Sequence, residues 1–416
     1  MLFGLVAFAQ PVFAETTTEA AAETEAEEVV WDGTEAEFRI GIVTGTVSQS
    51  EDDLRGAEAL IKRYGAASEG GMIQHVTYPD NFMSEQETTI SQIVGLADDE
   101  KIKAIIVNQA VPGTAAAFAQ IREFNEDILL IAVSCQEDPK VLAPVADIMV
   151  DPDNIARGYL IPYLAKELGA KTFVHVSFPR HMSYELLSRR RTIMEEACKD
   201  LGIEYHSITV PDPTSDIGIP GAQQFILENM DGWVQKYGKD TAFFATNDAQ
   251  TEPLLKKIAE LGAIFVEADL PSPLMGYPGA FNLNLKEEAG NWPAILKKVE
   301  ETVIAAGGEG RMATWAYSFG FTGSAALGEY AKQVIEGTME RGNFEDVLKA
   351  LEIYTPGAAW KNSPYIDNSG DEEVLYENYL LIYQDDYVFG KGYAGLTDVE
   401  VPEKYTHIKS VEYVEK

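Results

Sequence analysis

The run TFVHVSFPRHMSYELLSRR (172–190) puts a guanidinium where an apolar side chain belongs. Arg190 falls four residues after Leu186, three before Ile193 and four before Met194, on the apolar stripe of a helix expected over 183–201. An unpaired charge on a buried stripe costs several kcal/mol, so this arginine needs a partner. A structural Asp or Glu would supply one, and so would a ligand held in a cleft. Its neighbours Arg189 and Arg191 point about 100° to either side and are expected in solvent.

Other hydrogen-bonding residues gather just beyond apolar runs. They are Thr44, Thr46 and Ser48; Asn108 and Gln109; Ser134 and Gln136; Ser177, Phe178, Arg180 and His181; Asn247 and Asp248; and Asp269. Short polar side chains with one aromatic and two arginines suit the orientation of a polar small molecule. Ser, Asn and Asp also cap helices, an interaction worth about 1 kcal/mol, and Asp248 is a candidate cap of its own helix. Phe178, with Trp315 or Tyr317, offers a stacking surface for a sugar or a nucleobase. Catalysis has weaker support. The five histidines form no HExxH and no paired Cys/His spacing, so no metal or other cofactor is expected. Ser183 stands near His181 without a GxSxG elbow and reads as a helix N-cap. A binding protein is expected, not an enzyme.

The elements that carry these residues alternate regularly from Phe38. FRIGIVTG, MIQHVTY, KAIIVNQ, ILLIAVS and DIMVD read as strands, with helices expected over 51–64, 84–97 (Ser84 and Glu87 forming a capping box) and 113–124. The rhythm restarts with helices over 154–168, 183–201, 221–237 and 248–261, and strands TFVHVSF, IEYHSITV, TAFFATN and AIFVEAD. Near-continuous apolar strands alternating with helices imply two α/β lobes, each a doubly wound parallel sheet. No strand is followed by GxGxxG or GxxxxGK[ST]. In such sheets ligands bind beyond the carboxyl ends of the strands, where the polar residues named above lie. After Asp269 the pattern loosens. MATWAYS and ENYLLIY are strands, 292–306 and 322–336 helices, and the remaining Tyr-, Gly- and Asp-rich tail is unassigned.

The balance of 32 basic and 67 acidic residues gives a net charge of −35, which repels phosphate backbones and argues against nucleic acid as a partner. Leu2 to Phe8 is apolar and Val12-Phe13-Ala14 resembles a cleavage site, so residues 1–14 read as a signal-like segment. Residues 15–37 carry nine acidic groups and no basic one, and are expected to form a disordered tether. Export, with the folded part extracytoplasmic or at a cell surface, follows as an expectation. Cys135 and Cys198 are expected as free thiols.

These features resemble the type I periplasmic-binding-protein family, whose two-lobed fold is shared by sugar-binding proteins and the sensor halves of lactose-repressor-like regulators. DIMVDPDNIARGYLIPYLAKELGAKTFVHVS is similar to the family's crossover into the second lobe, which makes Asp151 a ligand contact by resemblance. RTIMEEACKDLGIEY resembles the helix whose preceding arginine contacts ligand, which gives Arg190 that role. FFATNDAQTEPLLKKIAELG is similar to the strand–Asn–Asp–helix signature, which sets Asn247 and Asp248 at the cleft. Thr192 and Ile193 stand where the family has a glycine. The length and the Tyr-rich tail resemble a little-characterised subgroup of bacterial extracytoplasmic proteins that is distantly similar to the basic membrane protein family of nucleoside-binding lipoproteins.

The resemblance implies one lobe from 38–150 plus 309–337 and another from 151–308 plus 338–416. Hinge crossings are expected near Asp151, 307–311 and 337–342. The implied function is an exported, monomeric solute-binding protein for a small polar ligand such as a sugar or nucleoside, with a permease or sensor receptor as partner. A ligand-sensing regulator or signalling domain of the same fold is the alternative.

Overall fold

The computed structural model describes residues 30–411. The signal-like segment 1–14, and the expected tether as far as residue 29, lie outside them. Residues 30–37 are not a free tether. The Trp31 amide donates to Lys62 O at 3.1 Å, its ring covers Gly65, and Glu35 pairs with Lys101 at 2.7 Å.

Strands β1 (Arg39–Thr44), β2 (Ile73–Thr77), β3 (Ile102–Asn108), β4 (Leu129–Val133) and β5 (Ile148–Pro152) form the parallel heart of the first lobe. Their near-unbroken apolar sequence is explained by burial on both faces. Successive side chains alternate: Ile40, Ile42 and Ile106 pack under the helices Val47–Tyr64 and Phe319–Ile335. Val43, Ile105 and Val107 join Ile93 and Phe118, from the helices Gln86–Leu96 and Thr114–Phe124, in a second core. In the second lobe β6 (Thr172–Ser177) lies between β7 (Glu204–Thr209) and β8 (Thr241–Ala245). This sheet continues through bridges at Ile264 and Phe265 to β9 (Ala313–Trp315), although AIFVEAD forms no full strand.

The tail completes both lobes. β10 (Trp360–Asp367) and β11 (Val374–Gln384) extend the first sheet to seven strands in the order β10-β11-β5-β4-β3-β1-β2, with β11 parallel to β5. β12 (Asp386–Val388) pairs antiparallel onto β9, and β13 (Gly392–Tyr393) onto β12. The assignment of 338–416 to the second lobe is therefore corrected: the helix Phe344–Tyr354, β10 and β11 belong to the first. The crossings move accordingly. One follows β5 as expected, the second lies between β9 and the helix Phe319–Ile335, and the third separates β11 from β12. They are tied side by side: Asp153 N donates to Ile382 O at 2.7 Å, and Tyr317 N to Gln384 Oε1 at 2.9 Å.

Two expected caps are absent. Gln86–Leu96 begins after Glu85, and the Ser84 hydroxyl turns back to Asn81 O. Ser183 closes the short helix Pro179–Met182, while the longer helix Glu185–Leu201 starts after Tyr184.

Gly56 lets Val47–Tyr64 lie directly on Phe319–Ile335, since a Cβ there would meet Phe321 O at 2.4 Å. Gly56→Ala is expected to destabilise the protein by about 1–3 kcal/mol through overpacking, read as a lower urea midpoint at unchanged slope.

Candidate functional site

Between the lobes lies a cleft of about 2090 Å³ at the carboxyl ends of both sets of parallel strands. From the first lobe Gln109 follows β3, and Ser134 and Gln136 follow β4. Gln136 Nε2 donates to Gln109 Oε1 at 2.8 Å. Asp151 stands at the first crossing, accepting from Tyr379 OH at 2.6 Å and from Cys135 N at 3.1 Å. Burial pushes the Asp151 carboxyl up to about 7, held back by the tyrosine hydrogen bond.

The second lobe contributes Arg180, His181, Asn247, Asp248 and Asp269. Asn247, not Asp248, caps the following turn, accepting from Ala249 N at 3.1 Å. Asp248 is left facing the cleft and accepts from Leu270 N at 3.3 Å. Its carboxyl is pushed well up by burial and then by the charge of Asp269, with Asp53 and Asp52 of the other lobe adding to the effect. Arg180 is committed to Asp212 by two hydrogen bonds, at 2.7 and 3.0 Å. His181 packs on Phe178, and burial followed by the Arg180 charge lowers its pKa to about 4, so the ring is neutral. Ser183 Oγ donates to Arg180 O at 2.6 Å and forms no nucleophile–base pair with His181.

Six of the expected contacts fall elsewhere. Thr44 is buried at the end of β1, bonded to Gly45 O and His75, and Thr46 bonds to Asp80 at 2.5 Å. The side chain of Ser48 is not among those described. Asn108 lies behind the cleft wall, donating to Gly320 O at 2.9 Å and Ser324 Oγ at 3.0 Å. Ser177 is buried against Thr246 at 2.7 Å, and Phe178 is core. Arg190 is fully buried and does not line the cleft. It pairs with Asp269, donates to Asn154 Oδ1 at 2.6 Å and lies 4.6 Å from the Phe244 ring centroid. The arginine has its carboxylate and stands one layer behind the surface a ligand would touch.

Arg189 and Arg191 are also buried, contrary to expectation, because the tail covers their helix. Arg189 donates to Ile366 O and Thr406 O, and Arg191 to Val411 O. Trp315 and Tyr317 pack inside and offer no stacking surface. The aromatic wall is instead Trp292, Phe321 and Tyr354, with Trp292 and Phe321 centroids 5.1 Å apart. These three, with Asp52 and Asn154, were missed in sequence. Apolar periodicity assigns such aromatics to a core, and only Asn154, within the crossover motif, carried a local hint. Among the described residues no group of three or more His, Cys, Asp or Glu could hold a metal ion, and both cysteines are free thiols. No described helix is long and apolar enough to cross a membrane.

Two α/β lobes, three adjacent crossings and a polar interlobe cleft define a type I periplasmic-binding-protein-like fold. Within that class the chain belongs to the family described as protein of unknown function DUF3798, whose model matches residues 38–313. A second family model matches residues 324–408. An uncharacterized protein of Treponema pallidum (strain Nichols) is 38% identical over 220 residues, covering 53% of this chain and all of the relative. A second from the same organism is 44% identical over 185 residues, 44% of this chain and 84% of the relative. Among solved structures, a proposed transcriptional regulator from Clostridium difficile 630 superposes with a TM-score of 0.69 at 24% identity, covering 86% of this chain and 100% of that one. A periplasmic solute-binding protein from Actinobacillus succinogenes 130z with bound D-allose gives 0.48 at 16% identity, covering 73% and 93%.

Proposed function

We propose that this chain is an exported solute-binding protein whose lobes close on a small polar ligand, for uptake through a permease or for sensing through a receptor, without catalysing a reaction. The observation that carries this reading is the cleft itself, which takes polar side chains from both lobes at the carboxyl ends of their strands. Hinge closure over three adjacent crossings would bring Gln109, Ser134 and Gln136 toward Asn247 and Asp248. The ligand would favour the closed state by its differential affinity for it. Extracytoplasmic placement is supported by the apolar start and the A-x-A-like site at residues 12–14.

A thermal-shift screen of the folded protein across sugars, nucleosides and amino compounds tests the binding role. A ligand at about 100 times its Kd stabilises by about 2.7 kcal/mol, and a screen without any shift would count against solute binding. Fractionation of cells carrying the tagged full chain tests export, and retention in the cytoplasm would refute it.

A further inference from the structure

We infer that the solute held in this cleft carries a cationic nitrogen, received by Asp248 of the second lobe and by Asp52 and Asp151 of the first. The inference rests on the solute-binding reading and specifies its ligand class.

The arginines nearest the floor are already committed. Arg190 is paired with Asp269 and Arg180 with Asp212. Asp151 accepts from a tyrosine hydroxyl and a backbone amide, Asp52 from Ser318 Oγ at 2.5 Å, and Asp248 from a backbone amide. No cation is paired with any of these three among the described residues. Arg55, on the helix that carries Asp52, turns outward to Glu51 and Glu58.

Asp53 is 0% exposed behind Asp52, with Ser50 and Gln109 beside its carboxyl, and adds negative charge to the same side of the cleft. One group lining the cleft awaits a partner: Ser134 is 7% exposed, and its hydroxyl has none. Carboxylates on opposite lobes repel as the lobes approach, as their mutual effect on Asp248 records. A neutral polyol would leave that repulsion in place, whereas a cation between them turns it into attraction. The wall of Trp292, Phe321 and Tyr354 supplies aromatic faces suited to an organic cation.

Burial holds the Asp53 and Asp151 carboxyls up at about 7 and raises Asp248 and Asp52 as well. Other titratable groups share the cleft: His181 is neutral, Arg180 and Arg190 are paired with Asp212 and Asp269, and burial raises the Glu137 and Glu185 carboxyls as well. A cation prefers the ionised carboxylates, so its binding expels protons and tightens as pH rises through about 7.

The test is calorimetry on the full chain with putrescine, spermidine, agmatine, choline and D-glucosamine. D-glucose, D-ribose and inosine form a neutral arm, and D-gluconate an anionic one. At least one cation is expected to bind, about tenfold more tightly at pH 8 than at pH 6. Proton release should appear as a buffer-dependent heat. Asp248→Asn should weaken that cation by about tenfold or more without lowering the thermal midpoint of the ligand-free protein, and Asp151→Asn provides a second reading should the first variant fold poorly. Saturable binding of a neutral or anionic compound with no cation bound would overturn the inference and leave solute binding standing. Absence of binding in every arm would overturn both.

Discussion

Arg157→Ala is expected to lower the unfolding free energy by about 3–5 kcal/mol, the usual cost of removing one member of a buried ion pair. Arg157 is fully buried on the helix Asn154–Glu167, which enters the second lobe. Its Nε donates to Glu267 Oε1 at 2.6 Å, Nη1 to Asn154 Oδ1 at 3.0 Å and Nη2 to Ala268 O at 2.8 Å, and both members of the pair are 0% exposed. The guanidinium also lies 5.8 Å from the Trp315 ring centroid. Truncation would leave Glu267 buried beside the Asp386 carboxyl without its cation and release Asn154, which the arginine holds jointly with Arg190. Guanidinium-chloride unfolding measures the loss. Arg157→Met combined with Glu267→Leu should recover much of it, since replacing both charges leaves no orphan. If the single variant lost less than 1 kcal/mol, water or another group would have to be satisfying Glu267.

Asp53→Asn is expected to stabilise the ligand-free protein at pH 8, by up to about 4 kcal/mol. Burial raises this carboxyl from an ordinary 3.8 to about 7, and each tenfold change in proton affinity is worth about 1.4 kcal/mol. The sign follows from proton binding. Between pH 4 and 7 the unfolded chain has lost this proton while the folded chain keeps it, so stability falls as pH rises and the loss is complete above about 7. An amide neither ionises nor crowds the site, which removes that slope. Denaturation series at pH 5 and pH 8 should show the wild type losing stability with pH and the variant losing less. An equal loss in both would assign the slope to other groups, Asp151 and Asp248 first. The same carboxylates that weaken the empty protein are those that would reward a cation, a familiar trade at binding sites.

How far the sequence could be read depended on whether a residue's environment was set by its neighbours along the chain. Strands β1 to β8 and most helices of residues 38–262 lie within a few residues of expectation, because their apolar periods reflect burial directly. The tail gave no such signal. β10 has exposed and half-buried positions through most of its length, and β12 is three residues long. The arginine triplet shows the same limit. Helical phase assigned Arg190 to the interior correctly, but it placed Arg189 and Arg191 in solvent because nothing local reveals that residues 366–411 cover that helix.

The cleft divides along the same line. Loop positions after β3, β4 and β8 brought out Gln109, Ser134, Gln136, Asn247 and Asp248, all of which line it. Thr44, Asn108 and Ser177 are still on the ends of strands that bury them, and Arg190 sits one layer too deep.

The sequence by itself determined the βα rhythm, the two parallel sheets, the end of each sheet where polar residues gather, and the need of Arg190 for a partner. These are consequences of local period and of the cost of burying charge. Only the tertiary structure decided that the partner is Asp269, that the tail supplies β11 beside β5, and that Asp52, Asp151 and Asp248 line one cleft. Those contacts join residues tens to hundreds of positions apart, and they are fixed by strand order and by which element covers which face. Neither leaves a period in the chain.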